Sequence, residues 1–97
     1  MLVVVAYDVS LADKNGVRRL RRVAKKCEAY GQRVQNSVFE CYLDYDNYVK
    51  LKVELLALID QKVDSLKFYQ LGKNYANKIE TFGAKQVFDL HKDTLIF

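Results

Sequence analysis

A carboxylate that could take part in chemistry, that of Asp8, follows directly on an apolar segment. The stretch VVVAYDVS, residues 3–10, reads as a buried β-strand that runs into Asp8, with Ser10 two residues further on. Asp8 is either an oxygen ligand for a divalent cation, or the cap of the following loop or the counter-ion of an arginine. Ser10 offers its hydroxyl to a phosphate or is an ordinary loop residue. The residue pattern alone favours the loop cap, because aspartates at strand ends commonly have that role.

A dense run of cations marks the first helical segment. Six basic residues fall within nine positions with no acid among them: Arg18, Arg19, Arg21, Arg22, Lys25 and Lys26. The net charge of +4 and the pI of about 9.1 are mild, so the local density is what indicates an anionic partner. On a helical wheel Arg18, Arg22 and Lys25 lie opposite the apolar arc, whereas the other three flank it. The alternative is a solvated surface, but like charges one turn apart repel each other, so we favour contact with nucleic acid.

The number and spacing of cysteine and histidine residues argue against a zinc site. Cys27 and Cys41 lie fourteen residues apart, and His91 is the one histidine, which does not make a zinc ligand set. Both cysteines lie on apolar segments, so we expect buried, reduced thiols. No apolar run approaches the roughly 18 residues that a membrane helix needs, and no signal peptide is visible. We therefore expect a cytoplasmic protein that does not contact membranes.

The elements that must position these residues follow from hydrophobic periodicity and turn signals. The 97 residues form one domain, with these expected elements: a strand over 2–8, a helix over 14–30, a β-rich segment over 32–44, a helix over 45–60, a strand over 64–71 and a short last strand over 85–90. Asp13 is the expected N-cap of the first helix and Gly31 its C-cap. The β-rich segment is one long strand or a hairpin that turns near Asn36 and Ser37, and the pattern leaves both open.

With a hairpin, the order becomes the β-α-β-β-α-β plan of ferredoxin-like α+β folds, in which two helices cover one face of the sheet. Val5, Tyr7, Val38 and Tyr69 then supply apolar side chains to both faces of that sheet. A two-layer domain with an apolar open face usually dimerises through it. The second helix also has two apolar stripes, one for the core (Tyr48, Leu51, Leu55, Leu58) and one opposite to it (Val49, Val53, Leu56).

Three sequence motifs extend these observations. They are MLVVVAYDVS at 1–10, GQRVQNSVFEC at 31–41 and SLKFYQLGKNY at 65–75. Together they resemble the CRISPR-associated protein two family, the small subunit of the spacer-acquisition machinery. YDV after an N-terminal strand is weak alone, but its combination with QNSVFEC about thirty residues on is specific. LGKNY followed by FGAK resembles one type I branch, and the resemblance runs over essentially the whole chain.

The resemblance implies a ferredoxin-like homodimer in which the sheets of two protomers face each other. The C-terminal segment 84–97, with its strand near 85–90, would cross to extend the sheet of the partner. Family members are described as endonucleases that depend on Mg²⁺ or Mn²⁺ and cleave RNA or double-stranded DNA. They also bridge dimers of the CRISPR integrase subunit and hold the prespacer DNA. The implied partners are thus a second copy, the integrase subunit, double-stranded DNA and single-stranded RNA.

The same resemblance assigns roles to particular residues. Asp8 would lie near the dimer axis opposite its twin, as metal ligand and central catalytic residue. The resemblance links Arg33 and Phe39 to nuclease activity, although packing at the dimer interface explains Phe39 at least as well. Tyr7 is a further candidate for the catalytic set, by stacking on the substrate, but core packing explains it better. The expected nucleic-acid contacts are Ser10, Arg18, Arg19, Arg21, Arg22 and Lys25. One Asp per protomer is few for a phosphodiesterase, so we expect slow hydrolysis that requires the dimer. The alternative is a non-catalytic, DNA-binding adaptor of the integrase complex.

Overall fold

The structure is a computed structural model that describes residues 1–83 and the backbone of two short strands beyond them. Its elements, in chain order, are β1 (Leu2–Asp8), α1 (Gly16–Glu28), β2 (Gly31–Gln35), β3 (Val38–Tyr42), α2 (Tyr45–Leu58), β4 (Ser65–Gly72), a 3-10 turn (Ala76–Lys78), β5 (Phe88–Asp89) and β6 (Thr94–Leu95). β5 and β6 pair with each other in antiparallel orientation. The rest of the predicted last strand, 85–90, and the predicted exchange of 84–97 with a partner lie outside the described residues.

A four-stranded antiparallel sheet in the order β2-β3-β1-β4 is the centre of the fold. The segment 32–44 is a hairpin that turns at Asn36 and Ser37, so the second of the two predicted alternatives is correct. Alternate residues of β1, including Val5 and Tyr7, join one core with residues of both helices. Both helices therefore cover the same face of the sheet, and the predicted ferredoxin-like α+β architecture is confirmed.

Helix α1 is held against the sheet by a buried stripe of Leu20, Val23, Ala24 and Cys27. Its ends differ from the prediction. Asn15, not Asp13, precedes the helix, and the helix ends at Glu28, so Gly31 lies in β2. A Cβ atom at Gly31 would lie 1.8 Å from the carbonyl oxygen of Glu40. The glycine is thus required by the close approach of β2 to β3 and not by a helix cap.

Helix α2 has a capped N-terminus, and its two apolar stripes lie in different environments. The side chain of Asp44 accepts a 2.8 Å hydrogen bond from the backbone N–H of Asn47, which satisfies one donor of the first turn. The core stripe is buried or half-buried: Tyr48, Leu51, Leu55 and Leu58. The second stripe is exposed: Val49, Val53 and Leu56. Both stripes are where the sequence predicts them. The helices in the described part of the chain are too short or too polar to cross a membrane.

The face of the sheet opposite the helices is partly apolar. Val4 of β1 lies between Glu40 of β3 and Tyr69 of β4, and Ala6 lies between Val38 and Lys67. Tyr69 is 49% exposed. The prediction that apolar strand residues serve both faces is therefore correct, since Val5 and Tyr7 lie under the helices. We refer to this surface below as the open face.

Candidate functional site

Asp8 is the last residue of β1 and its side chain is exposed on the open face. Side chains alternate along a strand, so the buried neighbour Tyr7 points to the opposite side. The antiparallel partner of Asp8 is Ser65, the first residue of β4, whereas the ladder between β1 and β3 stops at Ala6. The carboxylate thus stands at one corner of the sheet, next to the β1–α1 loop.

Tyr7 lies under the helices and is 1% exposed. Its backbone N–H donates a 2.9 Å hydrogen bond to the carbonyl oxygen of Ser37 in the β2–β3 turn. Its hydroxyl donates a 2.5 Å hydrogen bond to a carboxylate oxygen of Asp64. This position agrees with the packing interpretation of Tyr7, and its catalytic role stays a prediction.

Asp64, the residue before β4, gathers five hydrogen bonds in one buried place. Its side chain is fully buried. Besides the Tyr7 hydroxyl, its donors are the backbone N–H of Ser10 at 3.0 Å and of Asp60 at 3.2 Å, and Nε and Nη2 of Arg19 at 2.8 and 3.1 Å. We call these residues the Asp64 cluster: Tyr7, Ser10, Arg19, Asp60 and Asp64. Sequence patterns do not reveal Asp64 as a site residue, because it lies at the start of the predicted strand over 64–71.

The electrostatics of the Asp64 cluster keep its ion pair charged. Burial acts to raise the pKa of Asp64, but the hydrogen bonds from Arg19, Ser10 and Tyr7 outweigh burial and hold the pKa well below its usual 3.8. Hydrogen bonds to Asp64 and to Asp13 raise the pKa of Arg19. Burial, followed by the hydrogen bond to Asp64, raises the pKa of Tyr7 to about 12. Near neutral pH the cluster therefore holds a carboxylate, a guanidinium and a neutral phenol.

Arg33 and Phe39 contact each other across the β2–β3 pair. The guanidinium carbon of Arg33 lies 5.5 Å from the centre of the Phe39 ring, within the range of a cation–π interaction. Arg33 Nε also donates a 2.7 Å hydrogen bond to the carbonyl oxygen of Asn36. Phe39 is fully buried and lies opposite Val5, so it faces the helices. The structure therefore brings Phe39 and Tyr7 to the same face of the sheet, opposite the side chain of Asp8.

The basic residues of α1 lie in three different environments. An exposed group lies on the surface of the helix: Arg18, Arg21, Arg22 and Lys25. Arg19 instead turns inward and is 12% exposed, because it bridges Asp64 and Asp13. The wheel places Arg19 at the edge of the core stripe, and the buried carboxylate explains why it points inward. Lys26 pairs at 2.8 Å with Glu54 of α2.

A shallow groove of about 640 Å³ runs between α1 and the turn after α2. The residues that line it are Asn15, Arg18, Arg19, Arg22, Leu58, Ile59, Asp60, Gln61 and Lys62. Arg18 and Arg22 thus face Lys62 across a concave surface. Lys62 was missed by the sequence analysis because it belongs to no basic run, and only the tertiary packing brings it beside α1.

The corner at Asp8 offers a divalent cation one carboxylate from each chain. The exposed carboxylate is the kind of oxygen ligand that Mg²⁺ and Mn²⁺ prefer. Across the described part of the chain, however, no group of three His, Cys, Asp or Glu side chains could hold a metal ion. A metal centre at Asp8 would therefore take further ligands from a second copy of the chain, from water or from a substrate.

Comparison with known proteins identifies relatives over the whole chain. The model of the family described as CRISPR associated protein Cas2 matches residues 1–79. A protein of Halalkalibacterium halodurans named CRISPR-associated endonuclease Cas2 is 55% identical over 97 residues, with both chains fully covered. A protein of Nitratidesulfovibrio vulgaris named CRISPR-associated endoribonuclease Cas2 is 55% identical over 89 residues, which are 92% of this chain and 87% of that protein.

Solved structures agree with the sequence relatives. The crystal structure of Streptococcus pyogenes Cas2 at pH 6.5 matches with a TM-score of 0.78 and 52% identity, covering 86% of this chain and 100% of that one. A structure described as cas2 covers 100% of this chain at 31% identity, with a TM-score of 0.66. The family model, the full-length relatives and the shared fold agree with the resemblance of the three motifs, and the chain belongs to the Cas2 family of CRISPR-associated proteins.

Proposed function

We propose that this protein is a metal-dependent endonuclease of CRISPR adaptation whose reaction centre forms on the twofold axis of a homodimer. The observation that carries the proposal is the exposed carboxylate of Asp8 at the corner of the open face. Names of close relatives, endonuclease and endoribonuclease, support hydrolysis of phosphodiester bonds. The substrate is RNA or double-stranded DNA.

Each chain contributes half of this centre. In a dimer packed through the open faces, two Asp8 carboxylates would hold one Mg²⁺ or Mn²⁺ ion, with water and phosphate oxygens as further ligands. When bound, the ion would lower the pKa of a coordinated water molecule and neutralise charge on the phosphate. Ser10 offers its hydroxyl to that phosphate. Two carboxylates are few for such a centre, so hydrolysis is slow and requires both chains.

Binding of the substrate belongs to a separate surface in this proposal. Arg18, Arg21, Arg22 and Lys25 are exposed on α1, and Lys62 faces two of them across the groove. Contacts from these cations to phosphates would give affinity without reading the base sequence. Arg33 is exposed and supports the substrate near the β2–β3 turn.

The decisive experiment replaces Asp8 with Asn, which keeps the size of the side chain and removes its charge. We expect cleavage of duplex DNA and of RNA to fall at least a hundredfold, and wild-type cleavage to stop when EDTA removes the metal. Chains of Asp8→Asn mixed with wild type should form heterodimers that cleave poorly. Glu54→Gln is the control, since it removes one carboxylate from a distant salt bridge with Lys26. Cleavage by purified Asp8→Asn protein at the wild-type rate contradicts the proposal.

A second function is favoured by one observation. The basic surface is extensive, whereas no metal-ligand group of three side chains occurs within the described residues. This balance suits a non-catalytic adaptor that holds prespacer DNA and bridges integrase subunits. Spacer acquisition in cells that carry Asp8→Ala separates the two: retained acquisition supports the adaptor, and lost acquisition with intact dimers supports the nuclease.

A further inference from the structure

We infer that Asp64 is the positioning residue of the reaction centre, an inference that rests on the proposed role of Asp8 as metal ligand. Asp64 does not lie on the open face. It holds the chain on both sides of Asp8, through the hydroxyl of Tyr7 on one side and the backbone N–H of Ser10 on the other. Asp8 itself is thereby free to point away from the cluster.

The hydrogen bonds explain why a buried carboxylate is needed at this place. The ladder between β1 and β3 stops at Ala6, and that between β1 and β4 ends at the pair of Asp8 with Ser65. Beyond that pair the backbone would be free to change direction, but the bond from Ser10 to Asp64 fixes it within two residues. A carboxylate accepts several such bonds at once, and bonds to a charged acceptor are stronger than neutral ones.

Arg19 makes the burial of Asp64 possible. An unpaired buried charge is costly, and Arg19 compensates it with two hydrogen bonds to the same carboxylate. Asp13 in the β1–α1 loop binds the remaining side of the guanidinium at 2.8 Å. The loop after Asp8 is therefore tied at Ser10 and again at Asp13. The cluster links β1, this loop, α1 and the turn before β4 as one unit.

Symmetry makes this positioning stringent in the proposed dimer. Two copies of Asp8 would share one ion. A substitution that displaces the carboxylate would therefore displace both ligands of the ion. In metal sites, loss of a residue that orients a ligand typically lowers affinity by about ten- to a hundredfold. We therefore expect loss of Asp64 to weaken metal binding even though its side chain lies on the other side of the sheet.

The test titrates Mn²⁺ into the full chain without nucleic acid and measures free Mn²⁺ by electron paramagnetic resonance. Asp64→Asn should raise the dissociation constant about tenfold or more, and Tyr7→Phe, which removes a single hydrogen bond, should raise it less. Hydrogen exchange of a peptide spanning 8–15 should become faster in both variants. Two controls should leave the affinity for Mn²⁺ unchanged: Glu54→Gln, which removes a distant charge, and Leu43→Ala, which destabilises the core beside Met1, at the end of β1 opposite to Asp8.

The outcomes separate this inference from the proposed function. If Asp8→Asn abolishes Mn²⁺ binding while Asp64→Asn and Tyr7→Phe bind like the wild type, Asp64 has only a structural role and the inference is wrong. If Asp8→Asn binds Mn²⁺ like the wild type, the proposed metal site is wrong and the inference fails with it. Should Asp64→Asn not fold, Tyr7→Phe decides, since it keeps the ring and the ion pair.

Discussion

The protonation of a single residue, Asp64, connects pH with the stability of the whole chain. The folded state lowers the pKa of Asp64 below its usual 3.8, so it binds this proton more weakly than the unfolded state. The stabilisation is fully present above pH 4 or so and is lost as the pH falls further. We expect the free energy of unfolding of the wild type to fall steeply below about pH 4.

Urea unfolding of wild type and Asp64→Asn between pH 2 and pH 7 measures this dependence. The difference between their free energies of unfolding should be largest near neutral pH and shrink towards pH 2. Tyr7→Phe is the alkaline control, compared with the wild type in a separate series from about pH 7 to about pH 12. The pKa of Tyr7 is raised to about 12, so its contribution is present below pH 10 or so and is lost as the pH rises further. A pH-independent difference for Asp64→Asn contradicts the ionised cluster.

At the residue scale, sequence reasoning finds Asp8 and fails to find Asp64. Asp8 interrupts an apolar run, which is a local signal. Asp64 receives four of its five hydrogen bonds from residues 45 to 57 positions away in the chain, so no periodicity within one element reveals it. The same bonds decide the direction of Arg19, which a helical wheel leaves at the edge of the core.

Helix α1 is the element whose function is most directly testable. Arg18 and Arg22 are exposed and line the groove. If they bind phosphates, log affinity for duplex DNA falls linearly with log salt, with a slope of about −0.9 for each neutralised phosphate. Replacing both with Ala should flatten that slope by up to about 2 units and weaken binding equally for different DNA sequences.

A salt titration of DNA affinity measures this effect, with circular dichroism to confirm folding. The matched control removes two cations from α2, Lys50→Ala with Lys52→Ala, and should change the slope much less. Cleavage at saturating substrate should survive in the α1 variant, since binding and chemistry would belong to different surfaces in the proposed mechanism. An unchanged slope would place the DNA elsewhere, for instance along Lys73 and Lys78.

The elements themselves are predictable to different degrees. Both helices and β1 follow from strong periodicity, and Asp44 caps α2 as its residue type suggests. The β2–β3 hairpin stays ambiguous in the sequence because Asn36 and Ser37 lack the glycine that marks most two-residue turns. Gly31 is misassigned as a helix cap, since the Glu40 carbonyl that requires a glycine there belongs to another strand.

At the scale of the whole molecule, the open face predicts a stable homodimer. Val4, Val38 and Tyr69 lie on this face, and a partly apolar sheet surface is stabilised by a partner. We expect sedimentation to give a dimer at micromolar concentration. Tyr69→Lys should shift it towards monomer, because the new charge would be buried at the interface. Val53→Lys, on the exposed stripe of α2, is the control and should leave the dimer intact.

A wild-type monomer at micromolar concentration contradicts the dimer and also the shared metal centre. Deleting residues 84–97 provides a further measurement. We expect weaker association, because the family resemblance implies that this segment extends the sheet of the partner. Unchanged association would refute the strand exchange and leave the open-face interface standing.

The Asp64 cluster also determines at what point during translation the candidate site can become ordered. β2 and β3 are joined by a tight turn, so their pairing closes a short loop, whereas β1 pairs with β4 across more than fifty residues of intervening chain. Closure of so long a loop costs more entropy and takes place later. Until Asp64 and Ser65 have left the ribosome, neither Asp8 nor the backbone N–H of Ser10 has its partner. Asp8, among the first residues to be made, therefore becomes ordered among the last. An incomplete chain carries the carboxylate without the geometry, so the growing polypeptide has no complete candidate site before the sheet closes.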